Sequence, residues 1–207
     1  MAVHLIEHPV VHDVLCALRD TTTRPDVFRQ MARRISLLLA AEATRDLPSR
    51  AVTVTTPLGP AQGHRVSTDV VVVPVLRAGL GMVEAVLEIL PDARVGHIGL
   101  QRDEHTAVAS QYYAKFPGNL TDSVVLLVDP MLATGGSAIA ALDLLTQTGA
   151  RNLRLLCIVS APEGIALVEA RHPHAHIYTP VIDEGLNAHK FIVPGLGDFG
   201  DRLYGTT

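Results

Sequence analysis

The chain has 207 residues, 48% of them hydrophobic and 18% charged, and a formal net charge of −4. It can bury a core as one domain spanning 1–207, which excludes a disordered chain, a broad basic nucleic-acid face and a binder of anionic membranes. Of its 17 basic residues only Lys115 and Lys190 are lysines, so anion recognition falls to guanidinium forks and backbone amides.

The first predicted element is a short helix carrying Val11, Val14, Leu15 and Leu18. Thr23, Pro25 and Asp26 then read as the start of a second helix, with a hydroxyl cap, Pro in the first turn and an acid after it. Phe28, Met31, Ile35, Leu38 and Leu39 recur at helical spacing along it to about Arg45. Ala51 to Thr56 alternates like a strand, Pro57-Leu58-Gly59-Pro60 breaks it, and His64 to Val66 completes a hairpin outside the main sheet. The runs Val70 to Val73, Val95 to Leu100, Val124 to Val128 and Leu153 to Val159 are short and almost wholly apolar, as in strands buried on both faces. Helical segments at Leu80 to Leu90, Ser137 to Thr148 and Pro162 to Arg171 alternate with them, which predicts an α/β fold with right-handed crossovers. From Asp183 to Thr207 the chain is Gly-rich and reads as an ordered irregular cap. Cys16 and Cys157 lie in apolar stretches without metal spacing, so no disulfide is expected and a cytoplasmic compartment is. No leader-like segment precedes Pro9, and no apolar run reaches the roughly 20 residues that span a bilayer.

Ligands of open α/β sheets bind beyond the carboxyl ends of the strands, and Val124 to Ser137 puts its polar groups there. Asp129 ends the strand, Thr134 and Ser137 offer hydroxyls, and Gly135 and Gly136 let a phosphate approach backbone N–H groups. The helix beginning at Ser137 adds its positive dipole end. A plain turn with a Ser cap is the competing reading, and it leaves Thr-Gly-Gly after an acidic strand end unexplained. No Gly-Lys occurs, which excludes a Walker loop. Gly195-Leu196-Gly197-Asp198-Phe199-Gly200 matches a dinucleotide pattern, but it follows Pro194 and lies too near the C-terminus for the βαβ unit required. Asp198-Phe199-Gly200 also spells a kinase signature, with no catalytic loop upstream.

Val73 to Met82 forms a second strand, loop and helix, with Arg77 at the strand end, where a guanidinium can grip a diphosphate through two hydrogen bonds. Read alone, the same residues are equally a turn with a surface Arg. Gly99 to Glu104 ends a third strand with charges, Arg102 among them, and leads into a polar stretch reaching Tyr113 that reads as a surface loop. His172, His174 and His176 invite a metal reading. A Pro-broken link scatters them without a spaced acid or Cys, so a solvated loop is expected. His189 reads as packed and Cys157 as core.

Val128-Asp129-Pro130-Met131-Leu132-Ala133-Thr134-Gly135-Gly136-Ser137 resembles the ribose-5-phosphate motif of type I phosphoribosyltransferases. Pro130, where that superfamily usually has a second acid, makes it similar to the uracil phosphoribosyltransferase family in particular. The similarity extends to the Arg77 loop, to Arg102 and to the segment Lys190 to Arg202, and covers nearly the whole chain. It implies an α/β, type I phosphoribosyltransferase fold: a central, mostly parallel sheet flanked by helices, with N-terminal helices, a small hairpin and a C-terminal hood over 183–207. It implies that uracil and 5-phospho-α-D-ribose 1-diphosphate (PRPP) become UMP and diphosphate, a step of pyrimidine salvage. The resemblance assigns PRPP to Arg77, Arg102, Asp129, Pro130, Met131, Leu132, Ala133, Thr134, Gly135, Gly136, Ser137 and Asp198. Uracil falls to Ile192, Gly197, Asp198 and Phe199, and a Gly-rich hood suits this, because main-chain groups match the acceptor–donor–acceptor edge of the base. Arg77, Arg102 and Asp198 form the implied catalytic set, and the arm after Arg102 closes over the diphosphate. The Arg77–Ala78 peptide is expected to be strained or cis. Phe199 stands where the family often has Ala, and Gln101 where it often has Tyr.

The resemblance also implies Mg²⁺ held mainly by PRPP, with water-mediated help from Asp129 or Asp198 and no direct protein site. It implies a homo-oligomer, dimer or tetramer, and a GTP effector, with no nucleic-acid or membrane partner. Two other functions compete. A pyrimidine-responsive RNA-binding regulator of the same fold is opposed by Pro130 and the negative net charge. A purine-base transferase is opposed by the short, backbone-rich hood.

Overall fold

A computed structural model describes residues 3–102 and 109–206. The chain opens on β1 (Val3–Leu5), α1 (Pro9–Arg19) and α2 (Pro25–Ala43). Val11, Val14, Leu15 and Leu18 on α1, and Phe28, Ala32, Ile35, Leu39 and Ala43 on α2, are buried at helical spacing. Pro25 occupies the first turn of α2 as expected, but Thr23 does not cap it. The Thr23 hydroxyl donates to Ala17 O at 2.6 Å, tying off α1 instead, and Arg24 takes the capping position. β2 (Ser49–Thr56) and β3 (Gly59–Val66) form a hairpin outside the main sheet, with Pro60 inside β3 opposite Thr55.

The α/β part runs β4 (Val70–Leu76), α3 (Leu80–Ile89), β5 (Arg94–Val95), β6 (His97–Arg102) and β7 (Ala109–Lys115). It continues through β8 (Val124–Val128), β9 (Met131–Leu132), α4 (Gly136–Gln147), β10 (Asn152–Leu156) and β11 (Val159–Ser160) to α5 (Pro162–Arg171) and β12 (His176–Thr179). The tail adds β13 (Gly185–Leu186), β14 (Ile192–Val193) and α6 (Phe199–Tyr204). The sheet order is β1-β12-β10-β8-β4-β6-β7, with β5 added to the start of β4. Every pair is parallel except β6 with β7.

Side chains alternate across this sheet and split the interior in two. Val70 and Val72 of β4 and Val124, Leu126 and Val128 of β8 face the cluster under α1, α2, α3 and α6. Val71, Val73, Val125, Leu127 and Leu155 face the cluster under α4 and α5. Each fully buried Val or Leu contributes about 1.5–3 kcal/mol before chain entropy is counted, which fixes the register and with it the positions of the strand ends. The polar stretch expected as a loop as far as Tyr113 is instead strand β7, antiparallel to β6 from Ala109. An edge strand with an exposed face has no apolar run to announce it. No described helix is long and apolar enough to cross a membrane.

Candidate functional site

From β4 the chain passes to β6 on one side and later returns to β8 on the other, so the connections leaving β4 and β8 diverge at their carboxyl ends. Pro74 and Val128 are the last register pair between them. Just beyond lies a cleft of about 360 Å³, lined by Val75 to Ala78, Leu100, Asp129, Met131, Ala133, Ser137, His189 to Ile192 and Gly197 to Gly200.

The Arg77 loop turns back tightly on the sheet. Gly79 N–H donates to Val75 O at 2.9 Å, and a Cβ on Gly79 would stand 2.3 Å from Val128 O and 2.8 Å from Val75 N, so only glycine fits. The cis peptide of this loop is Leu76–Arg77, one bond before the expected Arg77–Ala78. Residues from Arg77 onward already make the i→i+3 bonds of a helical turn, whose peptides are trans. The Arg77 side chain is 63% exposed, 3.9 Å from Asp201 Oδ1, with its guanidinium 5.9 Å from the centre of the Tyr204 ring. Burial pushes the Tyr204 hydroxyl above its usual range, with Arg77 pulling the other way, so Tyr204 stays a neutral platform at working pH.

The chain after β8 alternates sides. Asp129 N–H donates to Leu156 O, Pro130 O accepts from Ile158 and Val159, and Leu132 O accepts from Ala161, while β9 pairs with β11. Pro130 and Leu132 are therefore buried against the β10–β11 segment, whereas Asp129, Met131 and Ala133 face the cleft. Gly135 adopts φ +85 and starts α4 one residue earlier than expected, at Gly136, while Thr134 Oγ1 accepts a long 3.4 Å bond from Gly136 N–H. Ser137, in the first turn of α4, reaches the cleft. Behind Asp129, burial and then the charge of Asp129 hold the Cys157 thiol well above its usual range, and it is core as expected.

The hood closes the other side. Ile192, Gly197, Asp198 and Phe199 all line the cleft. Asp198 also caps α6, its Oδ1 accepting from Asp201 N–H at 2.9 Å. Phe199 packs edge-on to Phe28, 5.2 Å between ring centres, so its bulk is anchored in the core. Arg102 ends β6 with its backbone opposite Ala109, and the arm that follows, 103–108, lies outside the described residues.

Sequence reading set His189 aside as packed, whereas it is exposed on the cleft, and it missed the cleft-lining Lys190 and Phe191 and the partners of Arg77, Asp201 and Tyr204. Asn187 organises the first group: its Oδ1 accepts from His189 and Phe191 N–H, and its carbonyl from Lys190 N–H. Lys190 is the one described non-glycine residue at positive φ, +66. An Asn three residues before a lysine, in a glycine-rich stretch, was the available signal. Of the three histidines of the Pro-broken link, His174 is exposed in a turn as expected, but the other two are not solvated. His172 Nε2 is largely buried 3.0 Å from Asp143 Oδ1 of α4, a partner far away in sequence, and His176 shares a 3.0 Å hydrogen bond with His4. Among the described residues no group of three or more His, Cys, Asp or Glu is placed to hold a metal ion.

Comparisons with known proteins agree with this geometry. The model of the uracil phosphoribosyltransferase family matches residues 5–206. A uracil phosphoribosyltransferase of Dictyoglomus turgidum is 52% identical over 203 residues, covering 98% of each chain. Among solved structures, the AQ2163 protein from Aquifex aeolicus superposes with a TM-score of 0.94 at 33% identity, covering 100% of this chain and 99% of its own. A hypoxanthine-guanine phosphoribosyltransferase from Bacillus anthracis shares the fold at 12% identity, with a TM-score of 0.53 over 77% of this chain and 80% of its own.

Proposed function

The chain belongs to the uracil phosphoribosyltransferase family, and from that premise we propose how its cleft joins uracil N1 to C1 of PRPP, releasing diphosphate and leaving UMP. It is a pentosyl-transferring enzyme of pyrimidine salvage, and the relatives give the RNA-binding alternative no support. The observation that carries the site assignment is the meeting, across one cleft, of two glycine-turned strand-end loops and a backbone-rich hood.

In this reading Thr134, Gly135, Gly136 and Ser137 receive the 5-phosphate at the start of α4, where N–H groups and the helix dipole favour an anion. Asp129, Met131 and Ala133 line the ribose, and Pro130 and Leu132 support them from the interior. Arg77, exposed and only loosely paired with Asp201, turns to the diphosphate and stabilises it as it leaves, and Arg102 does the same from the end of β6. Anchoring the phosphate far from the reacting carbon lets binding energy position C1. Ile192 and Gly197 to Phe199 offer main-chain groups to the uracil edge, and Asp198 adds a ribose contact. The whole chain acts as one unit, with 183–207 as the base-recognising hood.

Asp129 and Asp198 are hard oxygen donors in the cleft, too few to cage a cation, which suits Mg²⁺ held mainly by PRPP with these carboxylates acting through water. Bound there, the ion would neutralise charge on the departing diphosphate. A homo-oligomer, a GTP effector and a cytoplasmic location with both cysteines reduced complete the proposal.

One assay tests it: PRPP and Mg²⁺ with uracil, hypoxanthine, guanine or orotate in turn. UMP from uracil alone is the expected result, and turnover only with a purine overturns the base assignment.

A further inference from the structure

Asp183 is buried, its side chain 4% exposed, and the proposed reaction does not use it. Its carboxylate takes both arms of Arg19, at 2.6 and 3.0 Å, and Oδ2 also accepts Gly195 N–H at 2.9 Å. Arg19 Nη1 donates in addition to Gly195 O at 2.9 Å. Both main-chain groups of Gly195 are thus fixed, one by each member of an ion pair. The next carbonyl is held too: Arg202 donates to Leu196 O at 2.9 Å while reaching Leu18 O and Asp20 O on either side of Arg19. Every one of these anchors leads to the last turn of α1, a helix outside the cleft.

The segment so pinned has little freedom of its own. Gly195 adopts φ +57, and a Cβ there would stand 2.2 Å from Ile192 O. Ile192 lies just before it and Gly197 just after, and these are two of the positions that face the base. A base read by main-chain groups cannot be accommodated by a change of rotamer, so a shift of about 1 Å in this segment costs on the order of 100-fold. None of these hydrogen bonds reaches the loops after β4 or β8.

We infer that Arg19 is a positioning residue for base recognition: through Asp183 and Gly195 it sets the backbone that reads the pyrimidine edge. The inference rests on the uracil-transfer reading above. Its test is the separate measurement of KM for uracil and for PRPP, with kcat and Tm, in Arg19→Ala and Arg19→Lys. A lysine keeps the charge beside Asp183 but lacks the planar fork that bridges a carboxylate and a carbonyl together. The expected result is a rise of about 10- to 100-fold in KM for uracil, with KM for PRPP within about 2-fold of wild type. An unmoved KM for uracil, or both KM values rising in parallel, overturns the role whether or not Tm falls. If Arg19→Ala does not fold, Arg19→Lys decides by the same criteria. Wild-type protein in the same assay separates the two claims: without UMP formation the uracil reading fails, whereas with it an unmoved KM sinks only the role of Arg19.

Discussion

Single side chains in the cleft differ in how completely the fold has already used them. Arg77 has one long ion pair and one ring face, so an incoming diphosphate displaces little, and its truncation removes charge stabilisation rather than packing. Arg77→Ala is expected to lower kcat/KM by about 2–4 kcal/mol while leaving Tm unchanged, measured by steady-state kinetics and thermal melts. Near-normal turnover would sink the assigned role. Lys190 is the opposite case, a residue whose backbone is held at φ +66 by Asn187 at the expense of its own preference. Replacing it with glycine, which adopts that conformation freely, should stabilise the protein by about 0.5–1 kcal/mol in urea melts, after glycine's extra chain entropy is deducted. A loss of stability would mean that contacts of the lysine stem outweigh the conformational relief.

At the level of elements, glycines decide how closely the loops approach the sheet. Gly79→Ala would set a methyl 2.3 Å from Val128 O, and the clash is with backbone, which cannot swing aside. The expected cost is about 1–3 kcal/mol, read as a lowered Tm, together with weaker PRPP binding as the two loops are forced apart. A wild-type Tm would show that the loop relaxes. The buried parallel strands, α1 and the crossover helices were legible because their apolar spacing leaves no other solution, and α5 ran over its expected span, Pro162 to Arg171. Loops with charge and glycine in unusual combination, Asp129 to Ser137 above all, were legible for a chemical reason. What stayed hidden follows physical lines as well. β1 has three residues and gains its meaning from a partner far along the chain, β7 has an exposed face, and α6 has only six residues, begun by Asp198. The pairing of His172 with Asp143 depends on tertiary approach that no local pattern encodes, and the bond between Thr23 and Ala17 on how the turn between α1 and α2 closes.

Across the whole molecule, the cleft sits at the carboxyl ends of the strands and a second polar cluster at the amino ends of β10 and β12. There Arg154 donates to Ala43 O and Asp46, and His176 meets His4, which stacks 4.3 Å from Tyr178. Burial first, then the nearby His4 and Arg154, hold His176 below its ordinary 6.5, with Asp46 opposing. On unfolding the ring regains ordinary basicity and takes up a proton before the folded form does, so this contribution to stability is intact above about pH 6.5 and is lost as the pH falls below it. Tm should therefore drop between about pH 7.5 and about pH 5.5, with a shallower slope in His176→Asn. An equal slope in both proteins would rule His176 out as the titrating group. The same edge has a consequence in time. Among the described residues β1 pairs only with β12, and His4 meets His176 across 172 residues of sequence. At roughly 5–20 residues per second, a ribosome needs about 9–35 s to pass from His4 to His176. β1 is thus made long before the strand it docks on, and the newborn chain carries it unpaired until β12 follows.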